Sequence, residues 1–103
     1  MRAAPTLLDF SITPATVNTP AESQFAARVG ERVFGKGRVI TEFEPVMGGE
    51  DFSYMLEARP GSFIFIGNGD TAGLHNAAYD FNDAIIPLGC TYWVKLVEET
   101  LAA

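Results

Sequence analysis

Six consecutive residues, Ser62-Phe63-Ile64-Phe65-Ile66-Gly67, are almost wholly apolar, and residues 68–83, which follow at once, are polar and loop-like. An unbroken apolar run entered through Pro60-Gly61 is the pattern of a strand covered on both faces. A strand of that kind needs pairing neighbours and covering helices, and the chain offers candidates for each. Leu8, Phe10 and Ile12 alternate in residues 6–12 as a half-buried strand does, and Pro14 then favours a connector. Thr19-Pro20-Ala21-Glu22 reads as a capping box with proline at the first helical position. Phe25, Val29 and Val33 follow at four-residue steps, and Gly35 and Gly37 end that helix. Residues 38–43 form a short strand candidate stopped by Pro45. A short helix with Phe52, Met55 and Leu56 on its apolar side then runs to Pro60-Gly61. The last helix starts near Pro87, with Cys90, Trp93, Leu96, Val97 and Leu101 on one face. The order of elements predicts an α/β fold, a partial mixed sheet with packed helices.

Bulk properties exclude several classes of function. The chain has 103 residues, enough for one domain, and 48% hydrophobic content, which suits a folded chain and not a disordered one. Its formal net charge of −6 repels phosphate backbones, so nucleic acid is not an expected partner. No apolar run approaches the ~20 residues that a membrane helix needs, and no sustained apolar segment follows Met1-Arg2 as in a signal peptide. One cysteine cannot close an internal disulfide, which fits a reducing cytosol. A soluble cytoplasmic protein is the expectation.

The chemistry lies in the polar loop. Leu74-His75-Asn76-Ala77-Ala78-Tyr79-Asp80-Phe81-Asn82-Asp83 crowds imidazole, amide, phenol and carboxylate groups directly after a buried segment. A lone loop histidine is ordinarily a surface or structural residue, and Asp83 sits well as a cap for the last helix. A full zinc site takes three or four His, Cys or carboxylate ligands, and this chain has one His and one Cys. Ser53, His75 and Asp80 are the types for a hydrolytic triad, but no Gly-x-Ser-x-Gly elbow surrounds Ser53. Cys90 falls on the apolar face of the last helix, where packing is its expected role. Gly48 and Gly49 make a flexible turn before Glu50 and Asp51, whose charge suits a helix amino-terminus.

Three blocks in register carry a resemblance: Pro45-Val46-Met47-Gly48-Gly49-Glu50-Asp51-Phe52-Ser53, then Pro60 to Gly67, then Leu74-His75-Asn76 with Tyr79-Asp80-Phe81-Asn82-Asp83. Together they resemble the zinc-dependent aminoacylase and carboxypeptidase family, in its branch of hippurate hydrolases, N-acyl-amino-acid amidohydrolases and auxin-conjugate hydrolases. Val17-Asn18-Thr19 resembles that family's crossing from its smaller domain into the catalytic one. The resemblance implies that residues 1–18 are the last strand and crossover of a lid and dimerisation domain. Residues 19–103 would be the carboxy-terminal part of a phosphorylase/hydrolase-like dimetal exopeptidase domain.

It further implies two divalent metal ions (zinc, manganese or cobalt), an N-acyl amino acid or small peptide as substrate, and a homodimer formed through the absent lid. In such enzymes a metal-activated water attacks the amide carbonyl and a glutamate acts as base. That glutamate and most metal ligands belong to an amino-terminal part that this chain lacks, so the segment is expected to be inactive alone. His75 maps onto the family's late histidine ligand. Gly48 and Gly49 map onto a loop beside the substrate, where backbone amides can receive an anionic group. Asn76, Tyr79, Asp80, Glu50 and Asp51 are then expected to orient or close the site. Ala77 departs from a common proline, which loosens the loop without removing a ligand. The alternative is a non-catalytic small α/β module, or a truncated gene product with a binding role or none.

Overall fold

The computed structural model describes residues 13–102. The strand expected over residues 6–12 lies outside them, as does most of the expected lid segment. Three α-helices form: α1 (Pro20–Phe34), α2 (Phe52–Ala58) and α3 (Ile86–Leu101), with 3-10 turns at Lys36–Arg38 and Asp83–Ile85. No helix among the described residues is long and apolar enough to cross a membrane. The chain divides into two compact units. The first takes in residues up to Gln24 and Glu42–Phe63; the second takes in Phe25–Thr41 and Ile64–Ala103.

The expected α/β fold is corrected here, because the described residues contain helices and no strand or sheet. A strand exists only through a row of backbone partners, and among the described residues neither apolar segment forms such a row. Val39 has extended dihedrals (φ −110°, ψ 122°), but Lys36–Arg38 before it winds into a 3-10 turn. Ile40 and Phe43 are exposed. Ile64, Phe65 and Ile66 were expected to be covered on both faces and are instead 43%, 68% and 46% exposed. The apolar pattern records a segment suited to burial; it does not supply the segment that buries it.

In the first unit a side chain stands in for the missing ladder. The Asn18 amide donates to the Phe63 carbonyl (2.9 Å) and accepts from the Phe63 N–H (2.7 Å). One asparagine thus satisfies both backbone groups of one residue, as a neighbouring strand would along a whole row. Thr19 extends the pairing, its amide donating to the Gly61 carbonyl (2.9 Å) and its hydroxyl accepting from the Gly61 N–H (3.0 Å). Both groups that the expected capping box would use are therefore spent on Gly61. Pro20 still opens α1, as its fixed φ and missing donor allow. The α2 helix is opened by Glu50, whose Oε1 accepts from the Phe52 N–H (3.1 Å). It ends at Arg59, whose extended backbone precedes Pro60. Phe52 packs obliquely on Phe63 with ring centroids 5.5 Å apart.

The second unit is organised around Tyr92 of α3. Its ring is 5% exposed, stacks on Phe34 (6.1 Å, 11°) and meets Trp93 edge-on (5.7 Å, 72°). Gly30 lets Val39 approach α1: a Cβ there would lie 3.2 Å from a Val39 methyl, while Tyr92 Cε2 at 3.8 Å would be in ordinary contact. Ala26, Val29 and Gly30 are the buried residues of α1, so the expected stripe is present but rotated about Val29, with Phe25 and Val33 half-buried. On α3 the packed positions are Gly89, Tyr92, Leu96 and Glu99, not the expected Cys90, Trp93 and Val97. Cys90 is exposed, which corrects its expected packing role. Glu99 pairs with Arg32 at the surface, where such pairs add little to stability. Gly35 ends α1 at φ 95°, a left-handed backbone angle that a side chain would strain.

Burial makes one titration consequential. The Tyr92 hydroxyl donates to the Ala26 carbonyl (3.0 Å), and desolvation pushes its pKa above the ordinary 10.0. The folded state thus holds this proton longer than the unfolded chain does. Its contribution to stability is complete below about pH 10 and is lost as the pH rises through the folded value. Tyr92→Phe is expected to flatten the fall in thermal midpoint between pH 9 and 11, at a cost of about 1 kcal/mol near neutrality for the lost hydrogen bond. Equal alkaline slopes for the two proteins would show that Tyr92 is not the source.

Candidate metal-ligand loop

Residues 68–82 form a loop closed at its base by two asparagines. Asn68 Oδ1 accepts from the Asn82 N–H (2.7 Å), and Asn68 Nδ2 donates to the Asp80 carbonyl (2.8 Å) and to Thr71 Oγ1 (3.1 Å). Asn82 Nδ2 returns a longer bond to the Asn68 carbonyl (3.3 Å). Asn82 Oδ1 accepts from the Ala84 N–H (3.0 Å), so Asn82 rather than Asp83 caps the turn leading into α3. Neither asparagine was among the expected functional residues. The signal that could have found them is an amide side chain at each end of a polar loop, since asparagine readily bonds nearby backbone.

His75 lies at the tip. Its φ of 63° makes it the only non-glycine residue in the left-handed region among the described residues. Histidine enters that region more readily than branched residues do, though at some cost. Asn76 secures the following turn: its Oδ1 accepts from the Ala78 N–H (2.8 Å), and its carbonyl accepts from the Tyr79 N–H (2.9 Å). The His75 side chain is exposed, and no hydrogen bond reaches its imidazole from the described residues. Asn76, Tyr79 and Asp80 therefore act on the loop backbone here, not on the ring. Tyr79 is half-buried, while Asp80 is exposed and uses its carbonyl, not its carboxylate, to hold the loop.

Gly48, Gly49, Glu50 and Asp51 belong to the first unit and His75, Asn76, Tyr79 and Asp80 to the second. Both glycines are exposed, and an added Cβ at either would meet nothing within 4 Å. Glu50 takes the Phe52 amide, and the Ser53 amide donates to the Glu50 carbonyl (3.1 Å), so these first-turn donors are already occupied. Asp51 makes no side-chain cap. Ser53 is fully buried and its hydroxyl has no hydrogen-bond partner among the described residues, so no base among them stands ready to activate it as a nucleophile.

No group of three or more His, Cys, Asp or Glu side chains able to hold a metal ion occurs among the described residues. An exposed imidazole with both nitrogens unclaimed fits a single ligand position, and a stable site needs ligands from elsewhere.

Comparison with known proteins gives this loop its context. The sequence signature of peptidase family M20/M25/M40 matches residues 5–99. The chain is 31% identical over 85 residues to a hippurate hydrolase of Campylobacter jejuni, covering 82% of this chain and 22% of that protein. It is 34% identical over 93 residues to an IAA-amino acid hydrolase of Arabidopsis thaliana, covering 85% and 21% respectively. An N-acetyldiaminopimelate deacetylase of Pediococcus pentosaceus is 33% identical over 58 residues, covering 56% of this chain and 15% of its own. No solved structure matches the chain. The chain belongs to peptidase family M20/M25/M40, whose members are metal-dependent peptidases and amidohydrolases. It spans about a fifth of the length of the hippurate and IAA-amino acid hydrolases it matches.

Proposed function

We propose that this chain is the carboxy-terminal part of a metal-dependent amidohydrolase that cleaves the amide bond of N-acyl amino acids. In this reading residues 1–18 come from a lid and dimerisation domain, and residues 19–103 complete the catalytic domain. His75 is one ligand of a two-ion site whose remaining ligands lie outside the chain. The family match over residues 5–99, with His75 held exposed and unclaimed at a loop tip, carries the proposal.

The ions, when bound, supply polarisation of the scissile amide carbonyl and an activated water. The chain's own residues supply placement. Asn76 fixes the turn that follows His75, and Asp80 anchors the loop through its backbone. Gly48 and Gly49 are read as receiving a substrate carboxylate at their backbone amides, a reading supported by the open space around both glycines. The names of the hippurate and IAA-amino acid hydrolases point to acylated amino acids as the substrate class.

Surface character supports the reading of a partial enzyme over a free-standing binding module. Trp93, Val94, Val97 and Leu101 expose an apolar side of α3, and Ile64, Phe65 and Ile66 a second apolar stretch. Apolar patches of that kind mark surfaces made to be covered. The test is to assay the isolated chain, and the chain joined to the amino-terminal segment of the Campylobacter relative, with N-benzoylglycine and added divalent ions. Turnover is expected only in the joined protein. Turnover by the chain alone would refute the shared site, and a folded joined protein with metal but no amidase activity would refute the reaction.

A further inference from the structure

We infer that Asn68 is a positioning residue for His75, acting with Asn82 as a clamp that closes the loop and sets the backbone from which the imidazole is presented. The inference rests on the reading of His75 as a ligand but concerns only the conformation of this chain. A loop of this length is costly to order unless its ends are held together. Among the described residues the hydrogen bonds that join the two ends run through asparagine side chains: Asn68 to the Asn82 N–H and to the Asp80 carbonyl, and Asn82 back to the Asn68 carbonyl. Asn82 also caps the turn into α3, and α3 is seated on α1 through Tyr92. The clamp therefore ties one end of the loop to the best-packed part of the second unit. Between its jaws, Thr71 bonds the Gly69 and Ala72 carbonyls, and the Asn76 turn follows the left-handed His75.

Two substitutions at position 68 divide this work. Aspartate keeps the acceptor for the Asn82 N–H and loses the donor to Asp80 and Thr71. Alanine loses both. The two substitutions separate closing the base of the loop from fixing its Asp80 side.

The experiment uses the isotopically labelled full chain without metal, comparing wild type with Asn68→Ala and Asn68→Asp. The readouts are the three-bond amide–α proton coupling and carbon shifts of His75, which report its left-handed backbone, and amide exchange at Tyr79 and Asn82. Asn68→Ala is expected to erase the left-handed signature of His75 and speed exchange at both amides by roughly tenfold or more, with α3 amides unchanged. Asn68→Asp is expected to retain protection at Asn82 while His75 and Tyr79 loosen. An unchanged His75 signature in Asn68→Ala overturns the proposal. If Asn68→Ala loses its helices as well, Asn68→Asp decides, and unchanged His75 and Tyr79 signals there overturn it equally. Because no metal enters these measurements, the clamp can fail while His75 remains a ligand, and the reverse.

Discussion

Replacing His75 by alanine in the joined enzyme is expected to lower kcat by at least about a hundredfold. Loss of a residue that merely supports a metal ligand typically costs ten- to a hundredfold, and loss of a ligand itself should cost no less. The fold is expected to survive, because the imidazole is exposed and accepts or donates no hydrogen bond within the described residues. One complication can be designed out. His75 sits at φ 63°, and alanine tolerates that angle less well than asparagine does. His75→Asn keeps the backbone comfortable and removes the imidazole, so both variants should lose activity alike. Activity retained by His75→Asn and lost by His75→Ala would assign the residue a backbone role only.

The largest effect on stability is expected from Tyr92→Ala. The buried apolar residues among those described are Ala26, Val29 and Tyr92, and Tyr92 is much the largest of them. Its ring touches Phe34 and Trp93, and its hydroxyl bonds α1 at Ala26. Removing an aromatic ring from a core costs about 3–5 kcal/mol, and so little other apolar surface is buried here that nothing can refill the space. Thermal denaturation followed by circular dichroism should show the midpoint lowered by about 15 °C or more. A fall of less than about 5 °C would mean that α1 and α3 are held together by something other than this ring.

The helices were legible in the sequence because their signals are local. Pro20 at the first turn, Gly35 past the last turn and Pro87 near the start of α3 mark their boundaries through backbone chemistry alone. Which face each helix buries was less legible. In α3 apolar residues go nearly all round, so several four-residue stripes fit equally well, and contact with α1 selects the one through Tyr92. The strands expected over residues 38–43 and 62–67 do not form, for a different reason. Residues 62–67 have the composition of a buried strand, but pairing is a property of two segments, and here the Asn18 side chain meets the Phe63 backbone without a ladder forming among the described residues.

At the site, the loop and its histidine could be located from residue types and order. The parts that hold the loop could not, because Asn68 and Asn82 act through bonds spanning 14 positions that leave no periodic trace. Ser53 illustrates the converse. Its residue type fits a nucleophile but its sequence surroundings do not, and its complete burial with no hydroxyl partner among the described residues agrees with the surroundings.

The central claim is that His75 supplies one ligand to a metal site shared with residues outside this chain. Elemental analysis of the purified joined enzyme tests it directly, comparing His75 with His75→Asn after equilibration with zinc or manganese and removal of free ion. Close to two ions per chain are expected with His75, and a clear loss of bound metal with His75→Asn. Equal metal content in the two proteins would contradict it.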